Sequence, residues 1–131
     1  MKSIYIYFLA TILIVSFQSC KKDSATSSTT WHVKYEVTCS NPVTKADITF
    51  MNQSGNYISV GDLLDLTKAQ KLPWTYEADW SKDPGILFAR ALTLIVQTIP
   101  YNSTDVITLK IYVDGNVVIQ GTAASLQYLL H

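Results

Sequence analysis

From Trp31 onward the chain repeats with a period of two. Trp31, Val33, Tyr35, Val37 and Cys39 interleave with His32, Lys34, Glu36 and Thr38. An extended segment with this order has one apolar face and one wet face, the signature of a half-buried strand. Asn41-Pro42 ends it, since proline removes a ladder donor and favours a turn. Lys45–Met51 reads as a second strand, Asn52-Gln53-Ser54-Gly55-Asn56 as a hairpin loop, and Tyr57–Val60 as the returning strand.

The rest of the chain continues in short extended pieces. In Gly61–Lys71, Asp62 is a candidate cap for a short helix ahead of Leu63, Leu64 and Leu66, but Pro73 closes the pattern early. A strand and loop crossing a sheet edge is the reading preferred here. Trp74, Tyr76 and Ala78 alternate with Thr75, Glu77 and Asp79, so a strand runs to Trp80, followed by the turn residues Ser81-Lys82-Asp83-Pro84-Gly85. Ile86–Ile99 opens in an alanine-rich stretch that tolerates helix, then becomes β-branched and suits a central, doubly covered strand. Val106–Val113 is a strand, Asp114-Gly115 supplies the positive backbone angles of a tight hairpin, and Val117–Thr122 returns. Ala124–His131 suits either a last edge strand or a short helical turn. Short strands at regular spacing without crossover helices predict an all-β fold, an immunoglobulin-like antiparallel β-sandwich of about seven strands, in preference to a small closed barrel.

Ahead of these strands lies a different kind of chain. Lys2, the uncharged apolar stretch Ile4–Phe17 and the small residue Ser19 have the three parts of a secretory signal. Cys20 follows directly and looks like the lipid-attachment cysteine of a bacterial lipoprotein precursor, here of Bacteroidetes-like type. A retained transmembrane anchor is the alternative, but the apolar stretch falls short of the roughly 18 to 20 residues that cross a bilayer comfortably. The expected organisation is a signal peptide helix over residues 1–19, the lipidated cysteine and a flexible tether over 20–30, and a β-sandwich domain over 31–131. The tether, Lys-Lys-Asp-Ser-Ala-Thr-Ser-Ser-Thr-Thr after Cys20, is too polar and too poor in large apolar groups to fold. Within it, Asp23-Ser24-Ala25 resembles the motif at which Bacteroides-type bacteria attach O-linked glycans, which makes Ser24 a candidate glycosylation site. Asn52-Gln53-Ser54 and Asn102-Ser103-Thr104 fit the N-glycosylation pattern and are read as loop chemistry.

Cys39 is the only other cysteine. With lipid on Cys20 it has no partner within the chain, and its place in the alternating pattern predicts a buried, inert thiol. A Cys20–Cys39 bridge after ordinary secretory cleavage is the rival in an oxidising envelope. Ten basic residues balance ten acidic ones, and loss of Lys2 with the signal would leave the mature chain slightly negative. The Lys and Arg residues are also scattered. Nucleic-acid binding needs a concentrated basic face, so that function class is excluded.

Little in the sequence points to catalysis. His32 falls on the polar face of the first strand and His131 is the last residue, so no histidine pair has metal-ligand or Ser-His spacing. Asp62 with Asp65, and Asp79 with Asp83, invite a calcium or carboxylate-pair reading, but neither follows the graded ligand spacing of a calcium loop. The chain is therefore expected to be noncatalytic, with no metal and no cofactor. The aromatic residues are the better lead for binding. Trp74, Tyr76 and Trp80 fall at even spacing on one strand, so their rings share a face and form either a stacking platform for a sugar or apolar ligand or part of the core.

Tyr35-Glu36-Val37-Thr38-Cys39-Ser40, Ala46-Asp47-Ile48-Thr49-Phe50, Ser54-Gly55, Leu72-Pro73-Trp74 and Ile111-Tyr112-Val113-Asp114-Gly115-Asn116-Val117-Val118 follow one another in an order that resembles the mycobacterial MmpS-type transport accessory proteins. The resemblance covers almost all of the sandwich domain. It implies a β-sandwich held at a membrane surface, beside a large resistance-nodulation-division transporter that moves lipids or siderophores. That family uses an N-terminal transmembrane helix where this chain has a lipoprotein signal. The expected function is thus a lipid-anchored accessory or protein-binding module of a membrane transport complex in the cell envelope. The outer membrane is favoured because Lys21, rather than aspartate, follows Cys20. The alternative is a surface-exposed ligand, glycan or adhesion module on the same tether.

Overall fold

The computed structural model describes residues 28–41, 44–62, 64–83, 90–99, 104–122 and 124–131. The signal segment, Cys20 and Ser24 lie outside the described residues. Among those described there are nine strands: β1 (Thr30–Cys39), β2 (Lys45–Met51), β3 (Tyr57–Val60), β4 (Gln70–Lys71), β5 (Trp74–Ser81), β6 (Ala91–Ile99), β7 (Ile107–Val113), β8 (Asn116–Gly121) and β9 (Ser125–Leu129). They form two antiparallel sheets, one ordered β5-β1-β7-β8 and the other β3-β2-β6-β9, with β4 also paired to β2. The fold is an all-β sandwich. It has more strands than the seven or so expected, with the two-residue β4 and the C-terminal β9 at its margins.

The period-two pattern explains which face of each strand is buried. Val33, Tyr35 and Val37 of β1 are fully buried, and the register sets them beside Ala78, Tyr76 and Trp74 of β5 and beside Val113, Ile111 and Leu109 of β7. Ala46, Ile48 and Phe50 of β2 and Leu92, Leu94 and Val96 of β6 form the opposing wall. Each Val, Leu or Ile so buried contributes about 1.5–3 kcal/mol over an exposed side chain, so this shared interior is what clamps the sheets together.

Tyr35 crosses that interior. Its ring packs on Phe50 at 5.7 Å and edge-on to Trp80 at 6.1 Å between centroids. Its hydroxyl donates to the Met51 carbonyl at 2.9 Å and lies against the Thr93 backbone amide. The regular β2–β6 register ends at Phe50↔Leu94, so Met51 and Thr93 would form the next rung, and the Tyr35 hydroxyl stands in for it. Burial pushes the Tyr35 phenol well above its ordinary pKa, against a smaller opposing effect of the Thr93 amide.

Turns fall where the sequence places them. Asn52 accepts the backbone amides of Ser54 and Asn56 at 3.0 and 2.9 Å, closing the β2–β3 hairpin. Asp114 and Gly115 have φ of 50° and 81°, as a two-residue β7–β8 turn requires. Gly61 follows β3 at φ 103°, and a Cβ there would stand 2.7 Å from the Ala46 carbonyl oxygen. Only glycine lets the chain pass so close to β2 before it leaves in the loop Asp62–Ala69 and returns as β4. The strand expected over Thr93–Ile99 is central, between β2 and β9, but the expectation that both its faces are covered is corrected, since Gln97 on its outer face is exposed.

Candidate binding surfaces

Trp74, Tyr76 and Trp80 share a face as their spacing requires, and that face looks inward. Trp80 is 1% exposed and stands edge-on to Tyr35, so neither side of its ring is open to a ligand. Tyr76 packs on Phe50 at 4.4 Å with the rings tilted by 41° and donates its hydroxyl to Gln53 at 2.9 Å, while Trp74 meets Phe50 at 5.3 Å. These two are half-buried at the rim and Trp80 is core, so the three rings do not make a shared exposed platform. The reason is the β1–β5 register, which pairs Tyr35 with Tyr76 and so aims both rings at the second sheet. The indole Nε1 of Trp80 is buried without a hydrogen-bond partner.

The outer face of the first sheet is an ionic lattice. The His32 Nδ1 is 2.8 Å from Asp79 and its Nε2 is 3.5 Å from Glu77. Lys34 lies 3.6 Å from Glu36 and 3.7 Å from Glu77, Lys110 lies 3.5 Å from Glu36, and the Tyr112 hydroxyl donates to Glu36 at 3.1 Å. The hydrogen bond to Asp79 holds the His32 imidazole above its ordinary pKa, with a smaller opposing effect of desolvation and further support from Glu77. The signs of charge alternate across β5, β1 and β7, which makes this face self-satisfied.

Of the carboxylates paired in the sequence, Asp79 belongs to β5 and its contact with His32, while Asp62 and Asp65 behave as loop chemistry. Asp62 accepts the Leu64 amide at 2.8 Å, and Asp65 accepts both the amide and the hydroxyl of Thr67. The Thr67 hydrogen bonds and Lys68 hold the Asp65 carboxyl below its ordinary pKa. Among the described residues, no group of three or more His, Cys, Asp or Glu side chains is arranged to hold a metal. Cys39 is a free, half-buried thiol.

The second sheet presents a different surface. Tyr57, Thr49, Thr93, Ile95, Ser125, Gln127 and Leu129 lie on its outer side by register and carry no charge, while Lys45, Asp47 and Lys71 hold the charges of this face at the end where β2 begins. Thr93 is 3% exposed although it points outward. A shallow cavity of about 350 Å³ opens here, lined by Tyr57, Ala91, Thr93, Gln127 and Leu129 among others. The uncharged character extends around one side of the sandwich. From Asn116 to Leu130 there is no charged residue, and this stretch supplies β8 and β9, an edge strand of each sheet. Val117 and Leu129 stand out from it at 46% and 52% exposed.

Sequence reasoning missed this side. The fifteen-residue gap in charge was readable, but which strands end as edges depends on pairings between distant segments. No protein-family model matches the chain, and no curated protein matches it.

Proposed function

We propose that this chain is a lipid-anchored, noncatalytic protein of the cell envelope whose sandwich is a protein-binding accessory module of a membrane transport complex. The observation that carries the reading is the pair of uncharged edge strands β8 and β9, which lie side by side at one margin of the sandwich, with Val117 exposed on the first and Leu129 on the second. Natural sandwiches guard exposed edges with charge, and an unguarded one suits a protein partner. Attachment through Cys20 supplies the membrane contact. The tether of about ten residues reaches a few nanometres at ~3.3–3.6 Å per extended residue, enough to set the sandwich beside a membrane complex. The resemblance to MmpS-type proteins supports the transporter as partner, and Lys21 in place of aspartate after Cys20 favours the outer membrane as location.

Labelling with a palmitate analogue tests the anchor. Incorporation that disappears in Cys20→Ser is the expected result. Purification of the tagged, lipidated protein from gently solubilised membranes should then bring down a transporter component. Recovery of the protein free of any membrane-complex component, at full lipidation, would defeat the accessory reading.

A second reading is a surface-displayed ligand, glycan or adhesion module, favoured by the uncharged cavity beside Tyr57, Thr93 and Gln127. Protease treatment of intact cells separates the two. An accessory facing the periplasm survives it, whereas a displayed module is removed.

A further inference from the structure

Among the described residues, the outermost strands β5, β8, β3 and β9 differ in what their outer edges offer. In an antiparallel pair, residues alternate between those whose N–H and C=O both face the neighbouring strand and those whose groups face away. Leu130 donates to the Arg90 carbonyl and Val96 to the Ala124 carbonyl, so in this register Leu126 and Tyr128 also turn toward β6. The main-chain groups of Ser125, Gln127 and Leu129 therefore point out from the free edge of β9.

The same reasoning applied to β5 starts from the Lys82 amide, which donates to Thr29. It leaves Thr75, Glu77, Asp79 and Ser81 facing out, and two of these are carboxylates. On β3 the Asn52–Asn56 bond leaves only Tyr57 and Ser59 facing out before the chain tucks in at Gly61. The β7–β8 register shifts between Ile111 and Tyr112, which interrupts β8 as a template. Among the described residues, only β9 offers three successive outward rungs that are regular and uncharged.

A second observation lies beside it. The cavity of about 350 Å³ on the outer face of the second sheet borders Gln127 and Leu129, two of the three residues whose main chain faces away from β6 and pairs with no other strand among the described residues. A strand added to β9 would set its outward side chain opposite Leu129 next to this cavity. Main-chain bonds to an edge together with a pocket for alternate side chains are the two components of recognition by strand addition.

We propose that β9 is the receptor edge for an extended, uncharged segment of a partner protein, with one large apolar side chain of that segment seated in the cavity between Tyr57 and Leu129. A second copy of this chain fits less well, because the one two-fold pairing that uses all three outward rungs within β9, about an axis at Gln127, would bring Ser125 opposite Leu129, a side chain too small to fill the cavity. Basic or acidic segments find no countercharge from Asn116 to Leu130. The proposal rests on the protein-binding reading above.

The test uses the full-length protein purified from membranes in detergent and a displayed library of random heptapeptides, from which the tightest binder is synthesised. The expected peptide is uncharged with one large apolar residue. It should slow amide exchange at Ser125, Gln127 and Leu129 at least tenfold, leaving Glu77 and Asp79 unchanged. Methylation of alternate backbone nitrogens of the peptide, or Leu129→Lys in the protein, should weaken binding at least tenfold, and Glu77→Lys should not. The proposal is overturned by the absence of any binder, by binding indifferent to backbone methylation, by protection located on another edge, or by self-association through β9 that excludes the peptide. Missing lipid on Cys20 or a missing membrane partner would defeat the accessory reading while leaving the peptide result intact.

Discussion

Replacing Tyr35 with phenylalanine removes one oxygen from the core and keeps the ring against Phe50 and Trp80. That oxygen bridges two main-chain groups where the β2–β6 ladder ends, the Met51 carbonyl at 2.9 Å and the Thr93 amide. Met51 and Thr93 are both buried, so water cannot readily replace the hydroxyl. A typical buried hydrogen bond contributes about 1 kcal/mol net, while a stranded buried partner costs about 1–3 kcal/mol. The expected loss is thus about 2–3 kcal/mol, a large part of the stability of a domain this size. Urea unfolding followed by tryptophan fluorescence should show the midpoint falling by about 1 M with unchanged slope. A loss below about 0.5 kcal/mol at constant slope would refute the bridging role, since it would mean that the two groups pair without Tyr35.

The same variant gives an alkaline test. Burial raises the Tyr35 pKa from its ordinary 10.0, so the folded state favours the protonated phenol. Its contribution is fully present below the unfolded value and is lost as pH rises toward the folded one. Wild type should therefore lose more stability above pH 10 than Tyr35→Phe does, and parallel losses would contradict the assignment.

Other perturbations address separate parts of the molecule. Gly61→Ala forces a Cβ to 2.7 Å from the Ala46 oxygen at a φ of 103°, and should cost about 2 kcal/mol or more in thermal or urea unfolding. Trp80→Ala should cost about 3–5 kcal/mol as a core truncation, and an unchanged melting temperature would revive a ligand platform at that residue. For His32, NMR titration should give a pKa above 6.5 that falls toward the ordinary value in Asp79→Asn and by less in Glu77→Gln. Because the folded pKa is raised, the ion pairs stabilise the protein fully below pH 6.5 and fade as pH rises through the folded value. The exposed pair should also weaken in high salt.

Much of the fold is legible along the chain because strand formation and its punctuation are local. Trp31–Cys39 and Trp74–Trp80 alternate, Asn52–Asn56 and Asp114-Gly115 turn, and the structure has a strand or turn at each of these places. Alternation also showed that Trp74, Tyr76 and Trp80 share a face. Which way that face looks is not local information. It follows from the pairing of Tyr35 with Tyr76, forty-one residues apart in sequence, and from Phe50 arriving on the opposite sheet. Alternation alone puts the rings on one side of the strand and does not say whether a second sheet covers that side or leaves it open to a ligand.

By itself, then, the sequence determined the all-β class, the turns at Asn52–Asn56 and Asp114-Gly115, the scatter of basic residues along the chain, and the charge-free run from Asn116 to Leu130. Composition and period are sums over neighbouring residues and need no partner to be read. Only the tertiary structure decided that this run supplies an open edge of each sheet, that the three outward rungs of β9 border a cavity, and that Tyr35 completes the ladder of the sheet opposite its own. Those properties belong to the spatial order of strands distant in the chain, which is settled by how the two apolar faces pack and not by any one segment.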